Sequence, residues 1–500
     1  MNIKRLSKNI VFLYIRMLVL LLVMFYTSRV LLRELGVNDY GLYNVIGGVV
    51  LLFSSLKTIF SSAIQRFINY EKGHSALERI QEIFSVGVYI HLGVSILFLV
   101  LVEAAGLWYI SNKLVVDPNR ISAAYWVLHF SVLSSIVMIM TIPYDALIIA
   151  NEKMNFFAYV SIIDGILRLL IVFCLFYFEF DKLKLYSVLV FLVSLIIRFI
   201  NIGYCKRHFS ECKLVKIKDR KLVHNMASFA SWNFLGNLSY SISHEGINFL
   251  LNMFGGTVVN AARGIVYQVK NALSTILNNI VVAVNPQGIA LYSEGNKDDF
   301  YKLLDIFTRI VSFIYLLMAF PLFFYTSSIV EFWLGMLPNY VDIFLKIILV
   351  YMLFRALHYP LDLVYKASGE LKKYQLYESL LLFIPVILSY VVLKLNFSIV
   401  SVFWIMLTLE VVNYINILLL AGRTGLLNVV KYVKEVLSVV FCVGVIVLVE
   451  SIILIRILGD VNFFLQIIVM LLVIGLTIYV FGFGKDEKNK MKSVLLRKIK

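Results

Sequence analysis

Apolar residues along this chain come in runs of about 20 or more, the length that carries a helix across the hydrocarbon core of a bilayer, separated by short polar stretches. The runs predict about fourteen helices, over 9–32, 41–65, 82–104, 122–149, 156–178, 185–204, 226–251, 258–284, 301–325, 341–367, 374–395, 397–421, 432–456 and 461–483. The first run is too long for a signal-peptide core and no small-residue cleavage site follows it, so it reads as a retained helix. The connections are short, and no soluble domain is expected between spans.

Composition agrees. Of 500 residues, 61% are hydrophobic and 15% charged, against about 25% charged in soluble chains. The net charge of +16 is unevenly placed. Lys4, Arg5 and Lys8 precede the first run, and "CKRHFSECKLVKIKDRK", "ASGELKK" and "GRTGLLNVVKYVK" fall on the same side. The tail adds "KDEKNKMKSVLLRKIK". The opposite connections hold few basic residues, among them Arg33, Lys113, Lys182 and Arg456. Lysine and arginine mark cytoplasmic loops, so both termini are expected in the cytoplasm, with the excess charge meeting anionic lipid heads and no nucleic acid implied. Cys174, Cys205, Cys212 and Cys442 lack metal-ligand spacing and read as buried or cytosolic thiols. No metal site and no catalytic residue is expected.

Two stretches repeat a pattern. "IPYDALIIANEK" from Ile142 and "YPLDLVYKASGE" from Tyr359 each place an aspartate two residues after a proline, then an alanine and a glutamate. Asp145 and Asp362 thereby close the fourth and tenth helices, six helices apart. The turns at Glu71-Lys72-Gly73 and Ser293-Glu294-Gly295 repeat the interval. An even offset preserves orientation, so the halves are expected to be parallel repeats about an axis along the membrane normal. The predicted fold is an all-α integral membrane protein: two six-helix lobes around a central cavity plus two C-terminal helices. The expected divisions are an N-lobe at 1–204, a basic linker at 205–225, a C-lobe at 226–421, the extra helices at 422–484 and a basic tail at 485–500.

With "SRVLLRELGVNDYGLYNVIGGVVLLF" from Ser28 and "SSAIQRFINYEKG" after it, the chain resembles the multidrug, oligosaccharidyl-lipid and polysaccharide exporter superfamily. Within it the chain looks like the polysaccharide or O-antigen (Wzx-type) flippases. That resemblance implies movement of an undecaprenyl-diphosphate-linked oligosaccharide from the cytoplasmic to the periplasmic leaflet. The setting would be the bacterial inner membrane, in O-antigen or capsule synthesis, beside other polysaccharide-assembly membrane proteins. A coupling ion, H+ or Na+, is compatible with it.

Charges inside spanning runs are costly and suggest function. Arg16, Lys57, Arg263 and Lys270 are such charges; basic residues on the first, second and eighth helices line the cavity in related lipid flippases. On the eighth helix Asn260, Arg263, Tyr267, Lys270, Asn271, Ser274 and Asn278 form a polar stripe. Asn233, Asn237, Ser241, His244 and Asn248 form another on the seventh. One reading is a cavity with a cationic floor for a diphosphate and polar side chains for sugar hydroxyls. The other is interhelical packing with the polar groups satisfying one another. The histidines read first as hydrogen-bonding residues, with His244-Glu245 the candidate proton site. Asp145 and Asp362 are either local pins or a cytoplasmic gate.

A drug exporter of the same fold is the nearest rival, but organic cations want acidic or aromatic cavities and the first helix carries Arg16 instead. A lipid II flippase shares the expected chemistry. A membrane polymerase or acyltransferase is the alternative from another class, and the chain has neither a long outer loop nor a phosphate-binding or metal motif.

Overall fold

The computed structural model describes residues 3–72, 77–459, 461–485 and 487–488; side chains at 3–16, 49–60, 62–63, 154, 229–242, 371–373, 376 and 379–380 lie outside the described set. The described residues form helices and no strand. The order is α1 (Ile3–Lys72), α2 (Leu77–Asn112), α3 (Ile121–Ala150), α4 (Met154–Tyr177), α5 (Lys182–His208), α6 (Arg220–Ser293), α7 (Lys297–Phe324) and α8 (Thr326–Leu334). It continues with α9 (Val341–Ser368), α10 (Leu371–Lys394), α11 (Val400–Arg423), α12 (Val429–Tyr432), α13 (Ser438–Ile457) and α14 (Phe463–Phe481). Nine helices among the described residues are long and apolar enough to cross a membrane, which makes this a multi-pass membrane protein.

The sequence reading places turns between residues 32 and 41 and between 251 and 258. The structure instead runs helix through both. α1 has 70 residues and α6 has 74, each on the order of 100 Å long and enough for two crossings. Each breaks at one glycine: Gly36 at φ 74°, ψ 169° and Gly256 at φ 71°, ψ −173°. That backbone region is essentially closed to residues with a Cβ, so one glycine turns the chain where a loop is expected. Divided there, the helices supply the expected spanning lengths. Gly295 turns α6 into α7 at φ 76°; its counterpart Gly73 lies outside the described residues.

Packing divides the chain into two compact units, Met1–Gly264 and Ile265–Lys500, whereas the expected lobes are drawn by repetition. In the first unit α3 packs against α1, α2 and α5. It buries Ala123, Ala124, Ser131, Ser134 and Ser135, small residues that let helix backbones approach closely. Its hydroxyls return to its own carbonyls, Ser134 to Phe130 at 2.7 Å and Ser135 to Ser131 at 2.9 Å, so they enter the apolar interior satisfied. At one end of this unit Arg120 clamps α1 beyond its break to the connection before α5, bonding Asp39 at 2.8 and 2.5 Å and Asp181 at 2.8 and 3.0 Å. Burial raises the Asp181 carboxyl, but Arg120 and the Lys184 amide outweigh it and hold the group below its ordinary range.

The basic linker is strapped to the first unit. Gln81 donates to the Ser210 carbonyl at 2.8 Å, and the amides of Lys218 and Asp219 donate to Glu82 at 2.6 and 2.8 Å. Arg79 bonds Asp219 at 2.8 Å and holds its carboxyl below the usual range. In the second unit α9 packs against α7, α10 and α11, while α13 and α14 pack on each other and on α7.

The spacing that separates Gly36 from Gly256 also separates Gly41 from Ala261 and Asn44 from Gly264. These corresponding positions meet. A Cβ on Gly41 would collide with the Thr257 carbonyl and lie 3.1 Å from the Ala261 amide; one on Gly264 would lie 2.5 Å from Asn44 Oδ1. Like meeting like is what parallel repeats produce at a shared two-fold axis. Gly41→Ala is therefore expected to cut the yield of monodisperse protein and lower its melting temperature. Gly93→Ala, which meets open space and gains about 1 kcal/mol of helix propensity, is expected to do neither. Fluorescence-detected size exclusion of heated detergent extracts reads both.

Candidate functional site

Lys270 enters the second unit on α6 with Tyr267, Asn271 and Ser274. It is 8% exposed. Its Nζ stands 4.6 Å from the Tyr267 ring centroid and 5.2 Å from that of Tyr351 on α9. Among the described residues no carboxylate lies within ion-pairing distance of it. A desolvated cation over aromatic faces gains about 2 kcal/mol, while removing an ammonium from water costs several. The tyrosines therefore steady the ammonium without neutralising it. Ser274 Oγ approaches Met352 Sδ at 3.8 Å and Tyr267 approaches Met406 Sδ at 3.9 Å, and Asn271 is exposed.

A second cluster occupies the same unit, and its assembly is not legible in the apolar runs. Tyr351, Arg355, His358 and Asp362 follow one another on α9 at steps of four, three and four, the spacing of a single helix face. Arg355 Nη1 lies 3.0 Å from Glu378 of α10 and 3.5 Å from Oε1 of Glu410 on α11. His358 is 1% exposed; its Nδ1 lies 3.6 Å from that same Glu410 oxygen and its Nε2 3.7 Å from Asp362. Tyr374 donates its hydroxyl to Asp362 and lies 3.3 Å from His358 Nε2. Sequence reading singled out Asp362 and did not bring Arg355, Glu378 or Tyr374 to it. The available signal was the face shared by Arg355, His358 and Asp362.

In the first unit Arg263 is 4% exposed and committed to neighbours. Its Nη2 donates to the His244 carbonyl at 2.7 Å and lies 3.2 Å from His244 Nδ1, which is 3.1 Å from Glu245 Oε1. Glu245 Oε2 accepts from Asn248 at 3.1 Å. Gly48 makes room for that carboxylate, since a Cβ there would lie 2.6 Å from it. The asparagines form a relay across the Gly256 break. Asn260 donates to the Asn248 carbonyl at 2.8 Å and to its side chain at 2.9 Å, and Asn252 donates to Asn260 at 3.1 Å. Asn252 also accepts from Tyr109 and from the Val115 amide, each at 3.0 Å. Asn248, Asn252 and Asn260 are at most 1% exposed, so in this structure they serve one another.

Asp145 is 1% exposed and accepts from Asn201 of α5 at 2.8 Å. Asp145 and Asp362 are thus each held within their own unit. The side chains of Arg16, Lys57, Asn233, Asn237 and Ser241 lie outside the described residues. No group of histidine, cysteine, aspartate and glutamate suited to a metal ion occurs among the described residues.

No protein-family model and no curated protein matches the chain. Solved structures do. The lipid II flippase MurJ in an inward closed conformation superposes with a TM-score of 0.72 at 13% identity, over 94% of this chain and 98% of that one. A multidrug resistance MATE family transporter of the MOP superfamily, inward-facing, gives 0.69 at 13% identity over 82% of this chain and 96% of that one. A MATE in the bent conformation gives 0.56 at 14% identity over 86% and 97%. At these identities the likeness is one of fold: an all-α transporter fold that serves both lipid flippases and multidrug transporters.

The two cations predict opposite stability effects. Arg263→Ala strands Glu245 beside His244 in a buried setting and is expected to destabilise by about 3 kcal/mol. Lys270→Met removes a buried charge that no carboxylate among the described residues balances, and is expected to leave the melting temperature unchanged or higher. Thermal melts of the two purified variants in one detergent make the comparison.

Proposed function

We propose that this protein moves an anionic, lipid-linked saccharide across the membrane by alternating access. The observation that carries the reading is Lys270: a buried ammonium on a spanning helix, steadied by two tyrosine rings, with no carboxylate partner among the described residues. A charge kept in such a place at net cost suggests a binding role, and its sign selects an anion. A diphosphate fits; an organic cation would be repelled, which weighs against drug export.

The fold likeness to MurJ and to MATE transporters supports a carrier over an enzyme. The 94% coverage by the flippase against 82% by the multidrug transporter agrees with a chain that extends past twelve helices. The second unit also carries an apolar groove of about 460 Å3 between α7, α9 and α13, lined by Phe320, Phe323, Leu349, Phe354, Val440 and Leu448 among others. A stretch of polyprenyl chain fits that lining. In this reading the saccharide belongs to a surface polysaccharide, the membrane is the bacterial inner membrane, and both termini lie in the cytoplasm. Lipid II shares the diphosphate and the polyprenyl tail, and remains the second reading on the strength of the MurJ likeness.

The test is reconstitution with a fluorescent undecaprenyl-diphosphate oligosaccharide and a leaflet-selective quencher. Wild type is expected to flip it. Lys270→Met is expected to lose at least about tenfold in rate, the loss of one charge-assisted contact worth 1.5–3 kcal/mol, and Lys270→Arg to retain most of it. Wild-type flipping by Lys270→Met would remove anion recognition at this residue.

A further inference from the structure

The sequence repeat places one acid at the entry of α2 and one at the entry of α7, and the two have different surroundings. Glu82-Ile83-Phe84-Ser85 is answered by Asp305-Ile306-Phe307-Thr308. The structure keeps the same frame: Phe84 and Phe307 are each 1% exposed, and the buried Ser85 and Thr308 each donate to the carbonyl four residues back at 2.8 Å. In the first unit the linker lies over this turn. Ser85 accepts from the Val215 amide at 2.9 Å, and Glu82 accepts from the amides of Lys218 and Asp219 and from the Arg79 guanidinium. In the second unit the segment after α11 comes to the corresponding turn. The Tyr432 and Thr308 hydroxyls bond at 2.8 Å, and Tyr301 donates to the Leu426 carbonyl at 2.8 Å. That segment brings no N–H donor to Asp305. The Asp305 carboxylate has no hydrogen bond or ion pair among the described residues, because Arg309, one turn on, is given to Glu487 at 2.8 and 3.1 Å.

Asp305 instead lines a cavity of about 380 Å3 with Asp298, Lys302, Lys431 and Glu435. Its opposite wall is a turn at Gly425, φ 70°, then Asn428, whose side chain caps α12 at the Lys431 amide, then the wide π turn Val433–Leu437 that carries Glu435. Turns of this kind are rare and gather at functional sites. Asp305 is half-buried, while Asp298, Lys302, Lys431 and Glu435 are exposed around it. Lys302 Nζ lies 3.1 Å from Asp299 and Lys431 Nζ 3.9 Å from Glu435, exposed pairs of little strength that a phosphate can displace. Among the described residues no acids converge as a metal ion requires. The cavity is made by the beginnings of two stretches of spanning length, Lys297–Phe324 and Val429–Ile457, which places it at a membrane surface. Beside Lys431, Val430 and Val433 are 76% and 41% exposed, and apolar side chains next to lysines at that level meet head groups and acyl carbons. We propose that this cavity holds the head group of an aminophospholipid, with its ammonium on Asp305, its phosphate at Lys302 and Lys431, and its acyl chains leaving over Val430 and Val433. A primary ammonium brings three N–H donors to the acid that the chain leaves without any, in the place of the amides that Glu82 receives. A choline head group has no N–H to give. The site is separate from Lys270 and does not rest on the transport reading.

The test titrates the delipidated full chain in detergent with phosphatidylethanolamine, phosphatidylcholine and phosphatidylglycerol of one acyl composition, with bound lipid counted by native mass spectrometry. Wild type is expected to take phosphatidylethanolamine about tenfold more tightly than phosphatidylcholine, the scale of one charge-assisted hydrogen bond. Asp305→Asn is expected to erase that preference while leaving phosphatidylcholine binding as it was. Lys431→Met is expected to weaken both lipids alike, because the phosphate is common to them. A thermal melt in the same detergent checks that each variant is folded; if Asp305→Asn is not, Asp305→Glu, which keeps the acid, is expected to fold and keep the preference, and its loss in a folded Asp305→Glu counts against the site. Equal binding of the two lipids by wild type, or an unchanged preference in Asp305→Asn, overturns the proposal. Tighter binding of phosphatidylglycerol than of phosphatidylethanolamine overturns the ammonium contact. Soluble O-phosphoethanolamine is expected to compete only in large excess over the lipid; displacement at equal concentration overturns the lipid as the source of the head group.

Discussion

The cost of holding charge inside an apolar bundle governs which polar residues this chain can carry and where they stand. An ion taken from water loses several kcal/mol that only close, well-placed partners return. The structure answers with neighbours on adjoining helices. Arg355 meets Glu378 and Glu410, Arg263 meets His244 beside Glu245, and Asp164 meets Arg168 at 2.9 Å one turn along α4. Helix positions follow from these pairings as much as from apolar contact. Gly48 is a glycine because Glu245 occupies the space beside it, and Gly264 because Asn44 does. Lys270 departs from the pattern, and the departure is what makes it informative.

The spans were legible because a bilayer demands them: an apolar run of crossing length has few other uses in water. The same reasoning misjudged the ends. Between 32 and 41 the sequence turns polar, and a polar stretch between apolar runs reads as a loop. Residues flanking Gly36 keep helical geometry because Arg120 and its partners Asp39 and Asp181 pin that end, a long-range contact that no local pattern records. The candidate site was legible in part for the same reason. A stripe along one helix can be counted, so Tyr267 and Lys270 were found. Whether a stripe serves a ligand or a neighbour depends on the facing helix. Asn248 and Asn260 lie in the polar stripes of the seventh and eighth helices, and they face each other across Gly256. Glu378 and Glu410 reach Arg355 from helices that begin 16 and 45 residues later in the chain, distances over which periodicity carries no information.

The repeat sharpens this contrast. Asp145 and Asp362 occupy the same place in α3 and α9, each two residues after a proline inside its helix. Proline removes an amide donor and bends the helix locally, and the carboxylate that follows ties the bent segment to a neighbour. The neighbours differ. Asp145 is met by the amide of Asn201, a group with no charge to change. Asp362 is met by the hydroxyl of Tyr374 and stands one turn from His358. The same acid at the same place in its helix is held by an amide in one unit and by a hydroxyl in the other.

The two acids are therefore held in different ways. A carboxylate bonded to an amide holds its helix the same way at any pH at which it is ionised. Glu410 Oε1 stands 3.5 Å from Arg355 and 3.6 Å from His358, so one carboxylate ties α11 to two positions on the face of α9. The asparagine relay around Gly256 and the Asn201–Asp145 pair supply rigidity in the first unit. In the second unit the face of α9 runs from Tyr351, whose ring lies beside the Lys270 ammonium, to Arg355 and its two carboxylates.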